Sequence, residues 1–85
     1  MNEQQFMTQL SIDLVEVGMN NNMRIRAMNV PGQIWLNWED GESDMSGTAQ
    51  IDSGVVTEGH GSPHECAEKF VDYIVDACDS YSEAY

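Results

Sequence analysis

Bases are what this chain most lacks. Its 85 residues hold three, Arg24, Arg26 and Lys69, against fifteen acids, for a formal net charge of −12. A phosphate-binding patch needs clustered Lys and Arg, so direct nucleic-acid binding is not expected. Attraction to an anionic membrane surface is set aside on the same ground. Long apolar runs are missing too, and no stretch approaches the roughly 18 residues of a membrane span. The opening MNEQQFMTQL has no basic or apolar segment of the kind a secretory leader carries, so none is expected. Cysteines number two, Cys66 and Cys78, both in one predicted helix. At about 1.5 Å rise per residue they stand about 18 Å apart. A disulfide needs Cα atoms within about 7 Å, so these two cannot bridge each other. The chain reads as cytoplasmic with free thiols. No G-x-S-x-G, phosphate loop or H-E-x-x-H occurs. The expectation is therefore a non-enzyme, with no catalytic residue and no cofactor.

What is present suffices for a fold. Hydrophobic residues make up 41%, with two Trp, three Tyr and two Phe as anchors. That places the chain outside the disordered class. Its length fits one small domain over residues 1–85.

Residues 2–17 predict a helix, with Phe6, Met7, Leu10, Leu14 and Val17 on one face. Asn2 and Gln5 have the spacing of a capping box. Gly18, followed by MNNN, is the expected stop. Leu10, Ile12 and Leu14 also alternate as a strand would, so a shorter helix and a strand from Ser11 stay open as the second reading.

The stretch NMRIRAMNVPGQIWLNWED alternates with period two on both sides of Pro31-Gly32. Pairing Val30 with Gln33 sets Ala27 against Leu36 and Ile25 against Trp38 on one face. It sets Met28 against Trp35, Arg26 against Asn37 and Arg24 against Glu39 on the other. Turn and apolar pattern agree in parity, which is how register is specified. A type II Pro-Gly turn suits a two-residue hairpin poorly, so a four-residue loop of the same parity is the alternative. A third strand is expected from Thr48, with Ala49 and Ile51 inward and Val55 and Val56 as an extension. Ser62-Pro63-His64-Glu65 then opens a last helix, Ser at the N-cap and Pro at the first turn. The order α-β-β-β-α defines an α+β fold, a three-stranded antiparallel β-sheet with two helices on one face.

The last helix carries Glu65, Glu68, Asp72, Asp76, Asp79 and Glu83 within about 80° of arc and over about 27 Å. Ala67, Phe70, Ile74, Ala77, Cys78 and Tyr81 are expected on the core side. A solvated helix face ordinarily mixes signs, with Glu-to-Lys pairs at i,i+4. Here the pairs Glu68/Asp72, Asp72/Asp76 and Asp79/Glu83 repel by roughly 0.2–0.5 kcal/mol each. Asp79 and Glu83 also lie at the helix end where the macrodipole disfavours negative charge. A row that weakens its own helix points to a binding surface. Simple hydration of an acidic chain is the competing reading. Glu39, Asp40, Glu42 and Asp44 form a second acidic patch for the same partner. Oxygens at 40, 42 and 44 begin like a calcium loop, but Met45 and Ile51 stand where Gly and Glu would be needed. His60, His64 and Cys66 lack a local fourth zinc ligand. No metal residue is assigned. Arg24, Arg26 and Trp35 form a secondary contact face on the open side of the sheet.

Small size, strong acidity, no catalytic motif and the α-β-β-β-α order together resemble the small phage-encoded inhibitors, anti-CRISPR proteins and DNA mimics. The resemblance is one of overall profile and carries no motif. It implies an acidic inhibitor, in the host cytoplasm, that occupies the basic nucleic-acid-binding groove of a partner protein. The alternative is a non-catalytic accessory module that forms a homodimer through the Trp35 sheet face.

Overall fold

A computed structural model of the chain describes residues 2–54 and 61–83, with side chains in the last helix as far as Asp79. The elements are α1 (Glu3–Asn20), β1 (Met23–Val30), β2 (Gln33–Asp40), β3 (Ser46–Asp52) and α2 (Pro63–Glu83). The expected α-β-β-β-α order and the antiparallel sheet, in strand order β1-β2-β3, are both present. Val55, Val56 and His60 lie outside the described residues, as does the side chain of Tyr81.

α1 starts at the expected capping box. The Gln5 amide donates to Asn2 Oδ1 at 2.8 Å, and the Asn2 amide donates to Gln5 Oε1 at 3.0 Å. Two of the helix's otherwise unpaired amides are satisfied in this way. Met7, Leu10, Leu14 and Val17 are buried, and Phe6 packs partly against them. The helix runs through Ser11 to Asn20, which removes the reading of a strand from Ser11. Gly18 is not the stop. It is buried, and a Cβ there would lie 2.8 Å from Ile25 Cδ1 and 3.1 Å from the Met23 carbonyl oxygen. Gly18 allows α1 to approach β1 closely. The turn falls instead at Asn21 and Asn22, and Asn22 takes φ 57°, a left-handed conformation that Asn tolerates better than most side chains.

The β1–β2 register is the one the sequence specifies, from Arg24 opposite Glu39 to Val30 opposite Gln33. The connection is the two-residue Pro31-Gly32, not the four-residue alternative, and Gly32 takes φ 80°. The Gly32 carbonyl also accepts the Ser53 amide at 3.1 Å, which ties the end of β3 to this turn. β3 begins at Ser46, two residues before the expected Thr48, because the acidic loop is shorter than it reads. Within that loop the Asp40 amide donates to the Met45 carbonyl at 2.8 Å.

The core lies between the sheet and the helix layer. Met23, Ile25, Ile34 and Leu36 from the sheet meet Leu10, Leu14 and Val17 from α1 and Ala67, Val71, Ile74 and Cys78 from α2. Ala49 and Ile51 face inward and are half-buried. Both helices run the same way. Thr8 of α1 accepts from Asn29 near the β1–β2 turn, and Asn22, just past the helix, accepts from Gly41 at the other end. α2 starts beyond the Ser53–Gly32 contact, and its Cys78 lies beside Asp40 and Ser43. One end of the molecule therefore gathers the late turns of both helices and the β2–β3 loop.

Candidate functional site

α2 begins as its sequence requires. The Glu65 amide donates to Ser62 Oγ at 3.2 Å, and the Cys66 amide donates to the Ser62 carbonyl at 3.1 Å. Pro63 occupies the first turn, where its missing amide proton costs nothing. From this start, Ala67, Val71, Ile74 and Cys78 recur at helical spacing and are buried, with Phe70 and Val75 half-buried beside them. Ala77, expected in the core, is exposed. The reason is angular: the buried stripe is centred near Val71 and Cys78, and Ala77 falls at its outer margin at 100° per residue.

Glu65, Glu68, Asp72, Asp76 and Asp79 are all exposed, and the Glu83 side chain lies outside the described residues. The acidic arc is centred about 130° from the buried stripe, not diametrically opposite it. Its N-terminal part holds one local pair, His64 Nε2 with Glu68 Oε1 at 2.9 Å. The flank that opens between the arc and Ala77 carries Lys69 and Tyr73. Tyr73 is 74% exposed although large and partly apolar. Reading the helix only as core against carboxylates passed over it. An aromatic side chain standing free beside a row of charges is the signal that was available.

The four acids at the end of β2 and in the β2–β3 loop fall in two places. Asp40 is turned into the loop. Its Oδ1 accepts the Glu42 amide at 3.3 Å and its Oδ2 accepts the Ser43 hydroxyl at 2.7 Å. Glu42 and Asp44 are exposed, Asp44 with φ 58°. Asp40, Ser43 and Asp79 all act on Cys78, so this loop adjoins the C-terminal half of the acidic stripe. Glu39 does not join them. Strand parity carries it to the outer sheet face, where it pairs with Arg24 at 3.9 Å.

That outer face also presents Arg26, Met28, Trp35 and Asn37. Trp35 Nε1 donates to Gln33 Oε1 at 2.7 Å, and Gln33 Nε2 donates to Asp52 Oδ1 at 2.8 Å. The indole is held across β2 and β3 while 50% exposed. Met28, directly opposite it on β1, is 63% exposed.

Both thiols are buried. Burial pushes Cys78 above the ordinary thiol range; Asp40 and Asp79 add to this, and a hydrogen bond with Ser43 works against it. Burial raises Cys66 as well, with Lys69 opposing and Glu65 reinforcing. Low-pKa reactive thiols need a cationic, accessible setting, so neither cysteine has the setting of a nucleophile. α1 also buries Asp13, 7% exposed, whose Oδ1 accepts from Gln9 Nε2 at 3.0 Å. The sequence pattern gave no hint that a carboxylate sits there. Among the described residues no His, Cys, Asp and Glu side chains gather as three or more metal donors, and no helix is long and apolar enough to cross a membrane. Comparison with family models, curated proteins and solved structures gave no match for the chain.

Proposed function

We propose that the protein is an acidic, protein-binding inhibitor of the nucleic-acid-mimic, anti-CRISPR-like kind, which blocks the basic nucleic-acid-binding surface of a partner. The observation that carries this reading is the exposed arc of five carboxylates on α2, adjoined at Cys78 by the acidic loop with Glu42 and Asp44. A groove lined with Lys and Arg to hold phosphates would accept carboxylates through the same electrostatics. Tyr73 supplies an aromatic anchor of the type enriched at interface hot spots. Tyr73 and the stripe form one surface in this reading, and Glu39 faces away from it, beside Arg24 on the outer sheet face.

The test is competition. Basic nucleic-acid-binding proteins recovered from a lysate are challenged with a labelled oligonucleotide and increasing amounts of this protein. The oligonucleotide should be displaced, and displacement should weaken steeply with salt. The double substitution Asp72→Lys/Asp76→Lys should abolish displacement while the protein stays folded. Undiminished displacement by that variant would show that the stripe is not the surface.

A second reading is favoured by one observation, the exposed Trp35–Met28 pair on the outer sheet face. There the protein would be a non-catalytic accessory module that forms a homodimer through that face. Sedimentation across a concentration series distinguishes the two, because a dimer would gain mass with concentration and lose it on Trp35→Ala.

A further inference from the structure

The end of the molecule where α1 and the β2–β3 loop meet holds an open groove of about 690 Å³ that the acidic stripe does not use. Its floor is apolar, with Val15 and Met19 from α1 and Met45 from the loop. Met19 is 70% exposed, and Ile12, two turns earlier on the same flank of α1, is 54% exposed. Single exposed apolar side chains are ordinary on protein surfaces. Met19 instead belongs to the floor of a groove, and Ile12 continues the same side of the helix beyond it. Methionine is unbranched and polarisable, so such a floor adapts to the side chain laid on it.

The rim is mainly acidic: Glu39, Asp40 and Asp44 line it against one base, Arg24, which lies 3.9 Å from Glu39. Asp40 spends its oxygens on the loop, while Asp44 is an exposed carboxylate at the mouth with no ion pair to a base among the described residues, unlike Glu39. α1 also ends at this groove, and its last turn holds no basic residue. The partial negative charge of a helix C-terminus is thus added to the rim, where Arg24 is the one countercharge among the lining residues. A floor that favours an apolar side chain and a rim that favours cations specify one chemistry between them.

We propose that this groove docks an extended Lys- and Arg-rich segment of a partner protein, with one apolar side chain set on the Met19–Met45 floor and flanking cations at Asp44 and the end of α1. The groove shares Asp44 with the acidic surface of the preceding reading, but its floor on Val15, Met19 and Met45 is separate, so the proposal would stand if the α2 stripe were only solvated.

The test uses the whole chain and a short synthetic peptide of alternating Lys and Arg around one central Phe, titrated into labelled protein and followed by amide NMR shifts. The expected shifts fall on Val15, Met19, Asp44 and Met45. A peptide with Ser in place of Phe should bind about tenfold more weakly, as loss of one buried apolar side chain implies. Met19→Gln, at an exposed position that leaves the fold intact, should weaken the Phe peptide to a similar degree. Asp44→Asn removes the charge with a residue that tolerates the same φ, and it should reduce binding and its salt dependence. Shifts confined to Glu68, Asp72 and Asp76 would overturn the proposal and leave the stripe reading in place. Equal affinity for the Phe and Ser peptides, or no loss with Met19→Gln, would also overturn it.

Discussion

Replacing Asp72 with Lys should make this protein more stable and a poorer binder in the same step. Asp72 is exposed at the centre of the α2 arc, one helical turn from Glu68 and one from Asp76. Both neighbours stand at i,i+4 spacing, where like charges repel and opposite charges attract by about 0.2–0.5 kcal/mol per pair. Asp72→Lys turns two repulsive pairs into two attractive ones, and it turns the one attractive pair, Lys69 with Asp72 at i,i+3, into a repulsive one. The net gain at low ionic strength is about 0.4–1 kcal/mol, with a few tenths more because Lys is the better helix former. For a domain of this size that corresponds to a rise in Tm of about 2–10 °C. Salt at about 1 M shortens the screening length to about 3 Å and should erase most of the gain. Thermal unfolding followed by circular dichroism, at low and high salt, measures the effect. Displacement of an oligonucleotide from a basic partner, run in parallel, measures the loss of function. An unchanged or lower Tm at low salt would refute the claim that the stripe weakens its own helix. A higher Tm with undiminished displacement would leave the helix argument standing and remove the binding argument.

Three further outcomes follow from the packing. Gly18→Ala should destabilise the protein by about 1 kcal/mol, because overpacking against Ile25 and the Met23 carbonyl at about 1–3 kcal/mol outweighs a helix-propensity gain of about 1 kcal/mol. Urea denaturation measures this, and Ile25→Val in the same chain should recover part of the loss; a more stable Gly18→Ala would refute the close approach. Asn2→Ala should cost about 1 kcal/mol by removing one side of the capping box, read as a lower urea midpoint without a change in slope. Stability should also fall at alkaline pH. Both thiols are raised in the folded chain, so their contribution is complete below the ordinary thiol pKa of about 8.5 and is lost as pH climbs through the folded values. Urea midpoints at about pH 7 and about pH 9.5 test this, and the difference should shrink when both cysteines are changed to Ala.

The hairpin was legible because two independent signals coincide. Pro31-Gly32 sets the parity, the Ile25, Ala27, Leu36 and Trp38 pattern sets the same parity, and a slip by one residue would turn every one of them to solvent. The two helices were legible from their start signals at Asn2 and Ser62. Gly18 was misread because a glycine at a helix end has two uses, as a left-handed cap or as a place of close approach, and only the position of Ile25 tells them apart. Glu39 was grouped with its neighbours in the chain, although its own pairing with Arg24 already put it on the far face. Asp13 and the Val15–Met19–Met45 groove were not legible at all. Both depend on which side of α1 faces which element, a choice made by tertiary packing.

The shared direction of the two helices has a consequence for approach in solution. Their negative ends point to one pole, where Asp40, Asp44 and Asp79 also gather. The outer sheet face is close to balanced, with Arg24 and Arg26 against Glu39 and Asp52. Charge is therefore unevenly spread, and the molecule behaves as an electric dipole as well as a polyanion. In the field of a cationic surface such a body feels a torque before it feels any contact. It would arrive already turned, helix layer and loop end foremost, and fewer of its collisions would be wasted on the sheet.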